Sequence, residues 1–317
     1  NASQQAQLFW KPPEVISLHD EPRLIATALG ATLYIPADRP DLAATVTRRA
    51  SEGICSMVLD LEDAVDDIHA DAAMHNVVTA LDELAADPLA TMVFVRVRSY
   101  DCIPQIADRL TVGAHALSGF VIPKFEADTG ARYLRQTEDA ASALSRHLYC
   151  MPVLESERIL FQETRDAELT ALVDLLDEHR QTVLAVRVGA TDMCGSLGIR
   201  RDRDHTIYDV KVVADVLVDI INRFGRPDGT GFVVTAPVWE YFADHERLFR
   251  PLLRATPFRG HDAVRFRDML VSRDLDGLLR EISLDRANGL LGKTIIHPTH
   301  AAAVHAHDDT LENLDTL

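Results

Sequence analysis

The chain has 317 residues, 47% hydrophobic and 26% charged, an ordinary globular composition with ample material for a large core. Its 49 acids outnumber its 32 lysines and arginines and give a net charge of −17. So acidic a chain repels phosphate backbones and anionic lipid, which argues against nucleic-acid and membrane-surface partners.

The first fifteen residues, NASQQAQLFWKPPEV, have neither the basic n-region nor the apolar h-region of a secretory signal. From residue 31 onward, short apolar runs alternate with longer helical patterns. ATLYIP (31–36) comes first. RPDLAATVTRRASEG (39–53) follows, with proline near a first turn and glycine at the end, the usual asymmetry of a helix. SMVLDL (56–61) precedes DAAMHNVVTALDELAAD (71–87), which sets Val77, Leu81 and Leu84 on one face. Then come TMVFVRV (91–97), GFVIPK (119–124), LYCMPVLE (148–155) and TVLAVRVG (182–189). DVKVVADVLVDIINRFG (209–225) reads as another amphipathic helix, and GFVVTAPV (231–238) and KTIIHP (293–298) complete the series.

The short runs are nearly continuous in Val, Ile, Leu and Phe rather than alternating, as parallel strands covered on both faces are. Eight of them, each followed by room for a helix, predict a TIM (β/α)8 barrel. A doubly wound open sheet is the runner-up, but no G-x-G-x-x-G follows any strand. No repeat, low-complexity tract or linker divides the chain. One domain over 1–317 is therefore expected, with the barrel at about 30–305, an N-terminal extension at 1–29 and a tail at 306–317. Residues 238–260 exceed a simple barrel loop and read as an inserted excursion before the last strand. Their Trp239, Tyr241, Phe242 and Phe249 pack either on the chain's own barrel or on another subunit. Four cysteines lack CxxC spacing, and three lie in apolar segments, which suits buried thiols in a reducing compartment. No apolar run approaches the ~18–20 residues of a membrane span. The expected location is cytoplasmic.

In a parallel barrel the loops at the C-terminal ends of the strands converge on one mouth. Strand two ends in Asp60, Glu62 and Asp63, and strand three in Arg96 and Arg98. Strand four ends in Lys124 with Glu126 beyond, strand five in Glu155, strand six is followed by Asp192, and strand eight ends in His297. Mg²⁺ takes oxygen ligands, keeps several waters, and commonly uses one or two protein carboxylates. Glu155 and Asp192, from neighbouring strands, supply that pair. Arg96 is suited to gripping a carboxylate bidentately. Asp60, Glu62 and Asp63 fit a supporting role around the metal, holding its waters or orienting Arg and Lys side chains. Any one of these carboxylates, taken alone, reads more readily as a salt bridge or helix cap. His297 alone reads as a hydrogen-bonded structural histidine, and HAHDD (305–309) as solvated surface. It is the convergence on successive strand ends that points to a site.

The set ATLYIPADRPDL, GICSMVLDLEDAV, FVRVRS, GFVIPKFE, MPVLES, GATDMCGSLG and IIHPTHAAAV resembles the HpcH/HpaI aldolase and citrate lyase β-subunit family, over roughly residues 30–305. The resemblance implies a TIM barrel of the phosphoenolpyruvate/pyruvate superfamily, assembled as a homotrimer or hexamer. It implies Mg²⁺-dependent cleavage or formation of a C–C bond beside a carbonyl, often on a CoA thioester. Position by position, Glu155 and Asp192 match the metal-binding acids, and Arg96 the arginine on the substrate carboxylate. Asp60, Glu62 and Asp63 match the acidic strand-two motif, and Lys124 the lysine of a Pro-Lys pair. The chain departs from the family in having Ala31-Thr32 where Arg-Ser is usual, Arg98 where Asn is usual, and a short polar end after IIHP. The implied substrate is a small 2-oxo or 2-hydroxy carboxylic acid, free or as a thioester. The proton acceptor is left open between a metal-bound water and an acid of the strand-two motif. A thioester hydrolase using the same site and a non-catalytic metal-binding barrel are the alternatives.

Overall fold

The structure is a computed structural model that describes residues 16–18, 20–87, 89–242 and 275–308. Among the described residues there are eight strands: β1 (Ala31–Pro36), β2 (Ser56–Asp60), β3 (Met92–Arg96), β4 (Leu117–Ile122), β5 (Tyr149–Leu154), β6 (Ala185–Val188), β7 (Val233–Thr235) and β8 (Lys293–Ile295). They lie in the order β7-β6-β5-β4-β3-β2-β1-β8, every ladder parallel. A parallel bridge between Ala236 and Lys293 joins the two ends. Leu291 N–H donates to Val234 O, and Thr294 N–H to Ala236 O. The sheet thus closes into a barrel, which rules out the open-sheet alternative.

The strands match the predicted runs in place but not in length. β7 and β8 hold three residues each, because the runs that contain them leave the ladder early. After Ile295 the chain turns into a single 3-10 turn at Pro298–His300, where proline has no N–H for a ladder. Between β3 and β4 the register slips at Val93/Phe94, opposite Gly119. Gly119 has φ +151°, and a Cβ there would sit 1.9 Å from Tyr149 O, so only glycine lets β4 pass β5 at this point. The two longest predicted helices appear as Ala70–Ala85 and Lys211–Phe224, their apolar faces buried against the barrel.

The region read as an N-terminal extension contributes to the core. Helix Pro22–Thr27 has proline in its first turn and buries Ile25 and Ala26. With Leu29 they pack on Val58, Phe94, Val121 and Met151 inside the barrel, closing its lower end. The start of the excursion follows the first of its two readings, packing on the chain's own barrel. Trp239 is fully buried, packed edge-to-face on Tyr241 with centroids 5.5 Å apart, and lies under the Arg201 guanidinium. A Cβ on Gly277 would come within 2.7 Å of its ring. These two aromatics pack on their own chain, Phe242 is exposed, and Phe249 lies outside the described residues.

An ionic cluster pins the helix at 275–287 to β8. Lys293 Nζ lies 3.0 Å from Glu281 and 2.7 Å from Asp285, and Arg201 pairs with Glu281 and, at 2.6 Å, with Glu240. Arg201, Glu281, Asp285 and Lys293 are all buried. Nothing in their sequence spacing announced this. The HAHDD segment also differs from its reading as free surface: His305 accepts from Ala31 N–H at 3.3 Å and ties helix Ala301–Asp308 to the start of β1. All four cysteines are free, with Cys102, Cys150 and Cys194 buried and Cys55 exposed. Among the described residues no helix is long and apolar enough to cross a membrane.

Candidate active site

Asp60 and Arg96 end neighbouring strands and are register partners, so their side chains leave the same side of the sheet together. The result is a two-pronged pair: Arg96 Nε donates to Asp60 Oδ1 and Nη2 to Oδ2, both at 2.6 Å, with both residues buried. Glu62 N–H also donates to Asp60 Oδ1, at 3.0 Å, which sets the turn of the acidic motif. The third nitrogen, Nη1, faces outward, 3.0 Å from Glu62 Oε2 and 3.1 Å from Asp63 Oδ2. Glu62 Oε2 is buried without a hydrogen bond, so its contact with Nη1 is charge attraction. Lys124 Nζ holds the other Glu62 oxygen. Burial nevertheless keeps the Glu62 carboxyl above its ordinary pKa, against the pull of Lys124 and Arg96.

Lys124 works through its backbone as well. Its φ is +47°, a left-handed conformation that costs a non-glycine residue roughly 1–2 kcal/mol. That bend aims its N–H at Glu155 Oε1, which accepts at 2.8 Å. The other Glu155 oxygen rests against Gly189, where a Cβ would fall 1.8 Å from it. Glycine at 189 is thus the clearance that lets Glu155 occupy the mouth. The chain then enters helix Ala190–Ser196, whose first turn carries half-buried Asp192 beside Glu155. Burial first, and the Asp192 carboxylate second, push the Glu155 carboxyl up to about 9.

The residues expected at the mouth divide into two groups. Asp60, Glu62, Asp63, Arg96, Lys124, Glu155 and Asp192 come together there. Arg98 instead turns to the backbone of the acidic loop, donating to Val65 O at 2.7 Å and pairing with Asp67. His297 bonds Thr299 at 2.7 Å and stacks on Phe242, as a structural histidine does. Glu126 occupies the N-cap position of helix Ala127–Ala143. Sequence reading missed Gly189 and the Lys124 backbone. The signals available for them were a glycine directly after a strand and a lysine after Pro123.

A divalent cation fits what is present. Among the described residues no group of three or more His, Cys, Asp or Glu could hold a metal by itself. A buried Glu155 carboxyl that faces the Asp192 carboxylate, however, is an electrostatic burden that a hard cation with its own waters would relieve. Around the mouth, five carboxylates face two cations, Arg96 and Lys124.

Fold and mouth together define a TIM-barrel protein whose strand ends bring a cluster of carboxylates to one rim. The family described as C–C bond lyase of the TIM-barrel fold matches residues 23–312, and the chain belongs to that family. A citrate lyase subunit beta-like protein of Deinococcus radiodurans is 40% identical over 111 residues, 34% of this chain and 37% of that protein. The chain therefore matches little more than a third of that relative's length. Among solved structures, a citrate lyase of Burkholderia xenovorans aligns with TM-score 0.63 at 15% identity, over 91% of this chain and 79% of that one. Malate synthase of Haloferax volcanii aligns with TM-score 0.61 at 16% identity, over 91% and 74%. The citrate lyase beta subunit of M. tuberculosis, complexed with oxaloacetate and magnesium, aligns with TM-score 0.55 at 20% identity, over 89% and 98%. These likenesses confirm the barrel, and the family match bears out the resemblance read from the motifs.

Proposed function

We propose that the protein is a Mg²⁺-dependent C–C lyase or aldolase acting on a small 2-oxo or 2-hydroxy carboxylic acid, free or as a CoA thioester. The observation that carries this reading is the Glu155–Asp192 pair, two facing carboxylates of which neither has an ion-pair partner among the described residues. Family membership and the magnesium and oxaloacetate of the M. tuberculosis structure support it.

Glu155 and Asp192 would hold the metal, which when bound supplies a Lewis acid for the oxygens of an oxo acid. Arg96 has one edge committed to Asp60, so a substrate carboxylate would take the Nη1 side and displace Glu62 and Asp63 from it. Asp60 then fixes the guanidinium plane before the ligand arrives, so little ordering is left to do on binding. Lys124 and Arg96 would face the negative charge that builds up as the C–C bonding pair leaves with the carbonyl fragment. The hydroxyl proton of the departing carbon must go to a base. Glu62 is placed to take it, since it lies at the rim between Arg96 and Lys124 with its pKa raised by burial. Assembly as a homotrimer or hexamer belongs to the same reading, supported by exposed Val212, Val218 and Phe242. A cytoplasmic location is proposed on the four free cysteines.

Calorimetry with pyruvate, oxaloacetate and glyoxylate tests the proposal. Binding should require Mg²⁺, and Arg96→Lys, which keeps the charge but loses the fork, should weaken it by about 1.5–3 kcal/mol. Oxo-acid binding indifferent to Mg²⁺ would reject the reading.

A further inference from the structure

Arg187 comes from β6 and points into the barrel, where it is 1% exposed. A buried guanidinium is costly unless a carboxylate answers it. The partners of Arg187 are neutral: Nη2 donates to Thr294 Oγ1 at 2.6 Å, and Nη1 to Thr32 Oγ1 at 3.4 Å and the Met151 sulfur at 3.9 Å. Its Nε is buried with no partner. Among the described residues, no carboxylate pairs with it. In the run TVLAVRVG it is the one charged residue of an otherwise apolar strand.

The route from Arg187 to the mouth is a single ring. Tyr34 has the Arg187 Cζ 5.7 Å from its centroid and the Arg96 Cζ 5.2 Å from it. The Tyr34 hydroxyl feels Arg187, Arg96, Asp60 and Glu155 together. Two guanidiniums therefore share one phenol, one engaged in the site and the other held beside it without a counter-charge.

We infer that Arg187 is a positioning residue of this site, an unneutralised cation inside the barrel that raises affinity for an anionic ligand while lowering affinity for the bare metal. The inference rests on the reading of the site as one for Mg²⁺ and an oxo acid. It separates cleanly from a structural role because the signs are opposite. Removing one positive charge strengthens attraction of a cation and weakens attraction of an anion. Loosening the barrel lowers both.

The test uses the full chain, with Arg187→Met and Arg187→Gln, titrated with MgCl₂ alone and then with pyruvate at saturating Mg²⁺. Coulomb's law at an effective dielectric of ~20 and a separation near 10 Å gives changes on the order of tenfold. Pyruvate affinity should fall by about that factor, and Mg²⁺ affinity should rise roughly a hundredfold, because the double charge of the cation doubles the energy. Arg187→Lys, which restores the charge, should lie between the neutral variants and wild type in both titrations. Both affinities falling together, or neither moving, overturns the inference. So does failure of both neutral variants to fold while Arg187→Lys folds, because the charge would then hold the barrel rather than tune the site. Wild-type protein that takes neither ligand overturns the site reading itself, an outcome distinct from variants that match a binding wild type.

Discussion

Two buried ionic clusters among the described residues are built on different principles. Between β8 and the helix at 275–287, Lys293 and Arg201 meet Glu281, Asp285 and Glu240, and Tyr208 donates to Asp285 at 2.8 Å. Each buried charge there has a partner of opposite sign. At the mouth, Asp60 is fully matched by Arg96, but Glu155 faces another carboxylate. The carboxyl pKa values record the difference. Burial pushes Asp285 up only to about 6, with Lys293 pulling it back, while burial and Asp192 together push Glu155 up to about 9. A cluster that closes on itself holds structure. One that leaves like charges together is where the proposed function puts its cation.

The comparison breaks most sharply at the open pair. Glu155→Gln or Asp192→Asn should abolish measurable Mg²⁺ binding, because each removes one of the two carboxylates proposed to hold the metal. Either change removes a carboxylate from a like-charged pair, so the melting temperature of either variant should hold or rise. Calorimetry that finds Mg²⁺ affinity unchanged in both would dissolve the distinction.

The mirror experiment is on the closed cluster. Lys293→Met leaves Glu281 and Asp285 buried without their ammonium, a loss expected to cost about 3–5 kcal/mol in denaturant unfolding. Mg²⁺ affinity of the folded fraction should stay put. Loss of metal binding in a variant that remains folded would show that the two clusters are coupled.

Glu62 belongs to the mouth but its carboxylate pairs with the cations Arg96 and Lys124, so its effect should be intermediate. Glu62→Gln should lower Mg²⁺ affinity or turnover ~10–100-fold, the usual result of losing a supporting partner. Its melting temperature should change little, since the rim lies outside the packed barrel. A lowered melting temperature with untouched metal affinity would move the acidic motif into the structural class.

The smallest effect sharpens the comparison through protons. Glu155 titrates above its unfolded value, so between the ordinary carboxylate range and about 9 the folded, metal-free protein holds a proton that the unfolded chain has lost. Its contribution to stability is therefore present at acid pH and fades as pH rises through that window. Metal uptake near neutral pH should release about one proton and should tighten as pH rises. Titrations in buffers of different ionisation enthalpy count that proton. A count of zero would mean that the pair is already ionised and that Mg²⁺ meets no competition.

What the sequence determined by itself was a set of strands and their ends. Near-continuous apolar runs such as SMVLDL and LYCMPVLE mark strands covered on both sides, and their polar last residues mark the mouth, because side-chain direction and burial are encoded locally. Asp60, Arg96, Lys124, Glu155 and Asp192 were legible for that reason. The tertiary structure alone decided who meets whom. Arg96 and Asp60 lie 36 positions apart and pair only because β2 and β3 align in register, so the arginine gives one edge to the chain before any substrate arrives. Lys124 serves Glu155 through a backbone N–H, which no side-chain pattern displays. Arg187 and Lys293 sit in strand runs that read as ordinary barrel wall, yet one ends beside neutral hydroxyls and the other between two carboxylates. Local pattern fixes whether a side chain goes inward; the charge that waits there comes from elements brought together only when the barrel closes.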